Sequence, residues 1–184
     1  GGSGGYGGGG GGGDEQQGTG GQGGFGGGGG GSDDDAGGLG GFGGGNGGQG
    51  GSTAHGGGGA GFGGAVFVQE GGTLIIRGAG TMNGGSVTGG TGNQNGAAAG
   101  SGIFLQNASV EFTPAAGETQ AIFDVIADDL GNGLSTGGKV NKSGAGLLVL
   151  EGDNTYSGAT TVAAGELRIK GAIAASAVTI ENMA

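Results

Sequence analysis

Apolar residues come along this chain in short pulses. From Ala65 onward, runs rich in Val, Ile, Leu and Phe alternate with Gly, Asn and Asp: AVFVQ (65–69), TLIIR (73–77), GIFLQ (102–106), SVEF (109–112), AIFDVIA (121–127), LLVLE (147–151), TTVA (160–163), ELRIK (166–170) and AVTIE (177–181). Each is about one strand long and alternates well enough to bury one face. No window sustains apolar residues at i, i+3, i+4 and i+7, and Gly interrupts every candidate helix. The pattern predicts an all-β chain of short strands and tight turns.

The pulses repeat. GGAVFVQ (63–69) returns as SGIFLQ (101–106), which puts Phe67 and Phe104 in matching places, and each is followed by a second strand, Leu74–Ile76 and Val110–Phe112. Leu148 and Leu150 are echoed by Leu167 and Ile169, and Val178 and Ile180 follow after eleven more residues. Short strands that return after about 20 or 40 residues describe a chain that coils and stacks on itself, each rung bonding to the next over a narrow apolar core. The stretch 78–100 is then an inserted loop of one long rung.

Composition divides the molecule. Gly accounts for 63 of 184 residues, and 40 of these fall in residues 1–64, where the large apolar side chains are Tyr6, Phe25, Leu39, Phe42 and Phe62. So few offer little to offset about 1–2 kcal/mol of backbone entropy per ordered residue. Residues 1–64 are therefore expected to be a disordered Gly-rich arm or loop, and residues 65–184 the folded segment. As a coil the arm would span about 45 Å, with its phenylalanines as loose contacts. There is no Gly-x-y triplet period, which excludes collagen.

Charge divides likewise. Residues 1–64 have no Lys or Arg and five acids, Asp14, Glu15 and Asp33–Asp35, while the whole chain carries −10. Such a field repels nucleic acid and anionic membranes. There is no Cys, so neither disulfides nor thiolate metal sites form. No apolar run reaches the length of a membrane helix and no signal sequence opens the chain. The first residue is Gly, so a fragment with its targeting signal upstream is expected.

One stretch reads residue by residue. In KSGAGLLVLEGDNTYSGATTVAAGELRI (142–169), Leu148 and Leu150 alternate inward, Gly152-Asp153-Asn154 has turn chemistry, Tyr156 is suited to covering a turn, and Gly165 leads into Leu167 and Ile169. Lys142, Gly144, Gly146, Leu148, Leu150, Gly152, Asn154, Tyr156, Gly158, Thr160, Val162, Gly165, Leu167 and Ile169 fill the slots of a dense pattern. This stretch resembles the autotransporter-associated β-strand repeat, also called the passenger-associated transport repeat, and VIADDLGNG (125–133) resembles the segment that often precedes it. The resemblance implies a right-handed parallel β-helix in a type V secretion passenger, displayed on the bacterial surface or released. It also implies a C-terminal translocator β-barrel as partner. The repeat brings structural residues and no catalytic ones, so neither an enzyme nor a cofactor is expected. The alternatives are a polysaccharide-acting enzyme built on a β-helix and a glycine-rich wall protein.

The chemical candidates are thin. GLSTGGKV (133–140) imitates a phosphate loop, but Val140 stands where the magnesium-binding hydroxyl is needed. His55 sits alone among glycines. Asp124, Asp128 and Asp129 offer a carboxylate pair for glycoside cleavage, with a polar turn as the plainer reading. Asp33–Asp35 lacks the glycine framework of calcium-binding solenoids and reads as a solvated loop. NAS (107–109) and NKS (141–143) match the glycosylation pattern.

Overall fold

The computed structural model describes residues 1–13, 18–50, 54–130, 133, 136–173 and 175–181. It contains two compact units. One joins Gly1–Phe62 to Val87–Ala98, and the other joins Gly63–Ser86 to the chain from Ala99 onward. Among the described residues all regular structure is β or extended, and no helix is long and apolar enough to cross a membrane.

The Gly-rich unit is ordered, which corrects the expectation of a disordered arm. Its donors advance in steps of three. Gly4, Gly7, Gly10 and Gly13 donate to the carbonyls of Gln22, Phe25, Gly28 and Gly31; Gly20, Gly23, Gly26, Gly29 and Ser32 donate to those of Ala36, Leu39, Phe42, Gly45 and Gly48. A three-residue period with bonds running only between segments is the signature of packed polyproline-II-like helices. The segments fold back as hairpins, with Gly8 bonded to Gly5 and Gly11 to Gly2 around Tyr6–Gly7, Gly27 to Gly24 and Gly30 to Gly21 around Phe25–Gly26, and Gly44 to Gly41 and Gly47 to Gly38 around Phe42–Gly43. The glycine of each turn has φ between 70° and 75°, a region that costs glycine nothing. Two short strands, β1 (Gly61–Phe62) and β5 (Ala98–Ala99), lie at the edges of this unit's segments.

Glycine is required here because the backbones nearly touch. A Cβ on Gly10 would lie 1.9 Å from the Gly21 carbonyl oxygen, and one on Gly24 would lie 1.8 Å from that of Gly5. Side chains appear every third residue, at Ser3 and Tyr6, at Thr19, Gln22 and Phe25, and at Ala36, Leu39 and Phe42. Turn aromatics stack from hairpin to hairpin, with ring centroids 5.3 Å apart for Tyr6–Phe25 and for Phe25–Phe42, and Phe62 of β1 packs tilted at 5.7 Å from Phe42. These rings, expected as loose contacts, form a column.

The second unit is a stack of parallel coils. The first has β2 (Val66–Val68), β3 (Thr73–Arg77) and β4 (Gly80–Met82); the second β6 (Ile103–Leu105), β7 (Ser109–Thr113) and β8 (Thr119–Ile122). The third has β9 (Ile126–Asp128), β10 (Lys139–Lys142) and β11 (Leu147–Leu150); the fourth β12 (Asp153–Asn154), β13 (Thr160–Val162) and β14 (Glu166–Ile169). Then β15 (Ala172–Ile173) and β16 (Val178–Ile180) begin a fifth. Every pairing within the stack is parallel, in the orders β2-β6-β9, β3-β7-β10-β13-β16, β4-β8-β11-β14 and β12-β15. This is a β-solenoid, as the strand spacing predicts.

Register turns the sequence repeats into columns. Phe67 pairs with Phe104, and their rings stack at 5.5 Å. Leu148 pairs with Leu167 and Leu150 with Ile169. Val178 and Ile180 instead stack on Thr160 and Val162, so their eleven-residue step crosses to another sheet. AIFDVIA, expected as one strand, divides between β8 and β9. Part of the expected loop 78–100 is strand β4, and residues 87–98 belong to the Gly-rich unit. The core comprises Val68, Ile103, Leu105, Val110, Phe112, Ile122, Ile126, Val140, Leu148, Leu150 and Tyr156.

Candidate functional site

The motif-bearing coils, β10 to β14, are crossed by a ladder of buried polar side chains. Lys142 points inward from the end of β10, in a column with Phe112 below and Val162 above, and is fully buried. Its ammonium donates to the Gly144 carbonyl and, at 2.9 Å, to that of Ala164. Burial pulls its pKa below the ordinary 10.5, since desolvation disfavours the charged form. Among the described residues the ion pairs are Arg168–Glu166 and Lys170–Glu151, so Lys142 is held by carbonyl dipoles.

The motif glycines make room for these contacts. A Cβ on Gly165, whose φ is +72°, would come within 2.7 Å of the Lys142 ammonium. On Gly144 it would lie 2.1 Å from the Pro114 carbonyl oxygen, on Gly146 2.2 Å from that of Ala115, and on Gly158 2.4 Å from that of Gly138. Gly152 would bring one to 2.8 Å from the Phe123 oxygen. Each glycine therefore lets a turn sit directly on the turn of the coil before it.

Asn154, expected in a turn, lies in β12 with its side chain buried. Its Oδ1 accepts from the Ile126 N–H at 2.8 Å, and its Nδ2 donates to Gly152 at 2.8 Å and Ala172 at 3.2 Å. One amide thus joins three successive coils. Tyr156, suited by its amphipathic ring to covering a turn, is buried in the core. Its hydroxyl and Thr160 Oγ1 are 2.7 Å apart, and Thr160 Oγ1 is 2.7 Å from Ser176 Oγ. Burial raises the Tyr156 pKa above 10.0, and the bonds to Thr160 and Ser176 oppose that rise. Leu148, Leu150 and Val162 complete the core, while Leu167 is half-buried and Ile169 is 38 % exposed on the fourth coil.

Sequence reasoning passed over Asp128 as part of this ladder. Its Oδ2 accepts from the N–H groups of Gly138 (2.8 Å) and Ser157 (2.6 Å) and from Ser157 Oγ (2.7 Å), while Oδ1 accepts from Leu130 N–H at 3.1 Å. Asp124 accepts from Gly85 N–H and Asp129 from Asn107 N–H. The three carboxylates weighed for glycoside cleavage are thus engaged as backbone braces. The available signal was the chain of Gly, Asn and Ser around them, whose N–H groups need acceptors once buried.

The remaining candidates are dispersed. His55 is exposed, its carbonyl accepting from Gly48, and no group of three metal-ligating side chains forms among the described residues. The Asp33–Asp35 bend follows Ser32, whose Oγ accepts from Asp35 N–H; Asp14 and Glu15 lie outside the described residues. In GLSTGGKV, Leu134 and Ser135 also lie outside them, and Lys139 and Val140 open β10 rather than a helix. Asn107, the described non-glycine residue with positive φ (43°), contacts Glu70 and Thr136 through its side-chain amide.

Residues 140–169 match the family model of the passenger-associated transport repeat. No curated protein and no solved structure matches the chain. The match begins at Val140, in the strand that carries Lys142, and ends at Ile169, the last residue of β14.

Proposed function

We propose that this chain is a structural passenger segment of a type V secretion system, displayed at or released from the bacterial surface, and that residues 142–169 are the unit that lets it fold as it is exported. The passenger-associated transport repeat on a parallel coil stack points to an autotransporter passenger in general. The observation that carries the finer reading is the buried ladder Lys142, Asn154, Tyr156, Thr160 and Asp128, whose bonds join each coil to its neighbours. A coil stabilised mainly by the one before it folds one rung at a time, and folding outside a pore biases the thread outward. The absence of cysteine suits a chain that passes the pore unfolded.

In this reading the coils are right-handed, as parallel strand-to-strand crossovers are in about 98 % of cases. The partner is a translocator β-barrel, and the displayed surface has an adhesive role. Residues 1–64 serve as a glycine-rich part of the display.

The test places the chain between an export signal and a translocator barrel in a Gram-negative host and measures protease-accessible passenger on intact cells. Wild type and Asp153→Ala, an exposed neighbour, should reach the surface equally. Asn154→Ala removes three hydrogen bonds and leaves the Ile126 N–H without its acceptor, a loss of about 1–3 kcal/mol. It should be displayed several-fold less. Equal display of Asn154→Ala, with its coil shown to be destabilised by hydrogen exchange, would overturn the folding role.

A further inference from the structure

Strand β4 ends at Met82, and the chain leaves it through Asn83-Gly84-Gly85. Both ends of this strap are held. The Met82 carbonyl accepts from the Phe123 N–H at 2.9 Å, and the Gly85 N–H donates to Asp124 Oδ2 at 3.0 Å. Gly85 is also packed so closely that a Cβ on it would lie 2.1 Å from the Ser101 carbonyl oxygen. Between these anchors Asn83 and Gly84 are exposed. Neither the Asn83 side-chain amide nor the Gly84 N–H has a hydrogen-bond partner among the described residues. Gly84 has a φ of +83°, and a Cβ built on it would meet nothing within 4 Å.

An asparagine followed by glycine is open to attack on its own side chain, because glycine has no Cβ to crowd the attacking nitrogen. Asn46-Gly47 and Asn95-Gly96 are the other described pairs of this kind, and both are tied. Asn46 Oδ1 accepts from Gly40 N–H at 2.8 Å, and Gly47 N–H donates to the Gly38 carbonyl at 2.9 Å. Asn95 Oδ1 accepts from Gly92 N–H at 3.2 Å, and Gly96 N–H donates to the Gly90 carbonyl at 2.9 Å. An N–H that already donates, beside a side chain already held, must give up both bonds before it can react. Asn132, which precedes Gly133, lies outside the described residues. The other asparagines precede residues whose side chains hinder the attack.

We infer that Asn83 is a site of spontaneous covalent modification, converted to aspartate and isoaspartate while the chain is folded. The Gly84 nitrogen bonds to Asn83 Cγ, the bond from Cγ to Nδ2 breaks, and ammonia leaves with the Gly84 proton. Water then opens the cyclic imide. Cleavage at Cγ gives aspartate; cleavage at the main-chain carbonyl gives isoaspartate, whose backbone runs through the former side chain. Either product adds one negative charge to a chain already at −10. Isoaspartate also puts one more backbone atom between Met82 and Gly85. The strap then no longer fits both anchors, and the bond from Gly85 to Asp124 is released. The site is independent of the motif coils and of the export reading.

The experiment ages the full chain in mildly alkaline buffer, folded and in denaturant, and follows Asn46, Asn83 and Asn95 by peptide mass. In the folded chain Asn83 should convert about thirtyfold faster than the other two, the combined worth of the two net hydrogen bonds each of them must give up. In denaturant the three should react at like rates. Equal rates in the folded chain, or a lead of Asn83 that survives in denaturant, would overturn the inference. Amide exchange at Gly85 reads the release of the strap. Its protection should fall in step with isoaspartate in the wild type, and should persist in equally aged Asn83→Gln. Protection retained in the isoaspartyl chain, or lost at the same pace in Asn83→Gln, would show that the modification leaves the strap in place.

Discussion

Lys142 and Tyr156 are the two buried titratable groups of the motif coils whose pKa values move, and they move in opposite senses. Lys142 binds its proton less tightly when folded. Between its lowered folded value and 10.5 the unfolded chain therefore holds more protons, and stability rises with pH through that window. Tyr156 keeps its proton when folded beyond 10.0, where the unfolded chain loses it, so stability falls as pH rises above 10.0. Denaturant midpoints across the alkaline range should climb and then fall in the wild type. Lys142→Met should lack the climb, and Tyr156→Phe should lose part of the fall. Identical profiles for wild type and Lys142→Met would show that Lys142 is charged equally in both states. The sequence marks Lys142 as a motif position but is silent on its burial, because nothing local distinguishes a surface lysine from one whose ammonium finds two carbonyls from different turns.

Among elements, legibility followed apolar content. The pulses of Val, Ile, Leu and Phe located β2, β3, β6, β7, β11, β13, β14 and β16, because one buried face leaves a period-two trace. Strands β4 (Gly-Thr-Met), β10 (Lys-Val-Asn-Lys) and β12 (Asp-Asn) went unread. Their pairing is dictated by the neighbouring coil, and each brings at most one hydrocarbon inward, Met82 beside Gly80 in β4 and Val140 beside Lys142 in β10, with Asn154 in β12. AIFDVIA reads as one continuous strand because Phe123 and Val125 look like strand residues, yet Phe123 is 45 % exposed and the chain turns at Asp124. The glycine hairpins were opaque for a related reason: each triplet run lasts only a few residues before a turn resets its phase. They supply a sharp test. Gly24→Ala brings a Cβ to 1.8 Å from the Gly5 carbonyl oxygen, whereas at Gly9 the nearest atom is 3.5 Å away. Gly24→Ala should disperse the ring-current shifts of the Tyr6–Phe25 stack and admit protease into residues 1–50, and Gly9→Ala should leave both as in the wild type. Equal tolerance of the two substitutions would contradict the close-packed array.

For the molecule as a whole, the unit assignments separate two kinds of cohesion. The solenoid's core residues lie between Val68 and Tyr156, outside the Gly-rich unit. Removing residues 1–62 and replacing 87–98 by a short flexible linker should retain the far-UV β signal and a cooperative melt. Loss of both would show that the coils depend on the glycine array. The last coils leave Val178 46 % and Ile180 71 % exposed. Together with Leu167 and Ile169 they line an apolar cleft of about 300 Å³, so the amides of β14 and β16 should exchange before those of the fully buried β6 and β9.

The close approach of the glycine hairpins has a consequence for how such a sequence drifts. Every change of a glycine codon to that of another amino acid adds at least a β-carbon, and at Gly10, Gly24 or Gly41 that atom would strike the carbonyl of an adjacent segment. Substitutions are admitted instead at the outward third positions, where Ser3, Thr19, Gln22, Ala36 and Leu39 already differ freely in size and polarity. Two descendants of this segment could share almost no side chains and keep the same fold. Their kinship would be carried by the phase of the gaps between side chains, a signal that comparison by residue identity discards.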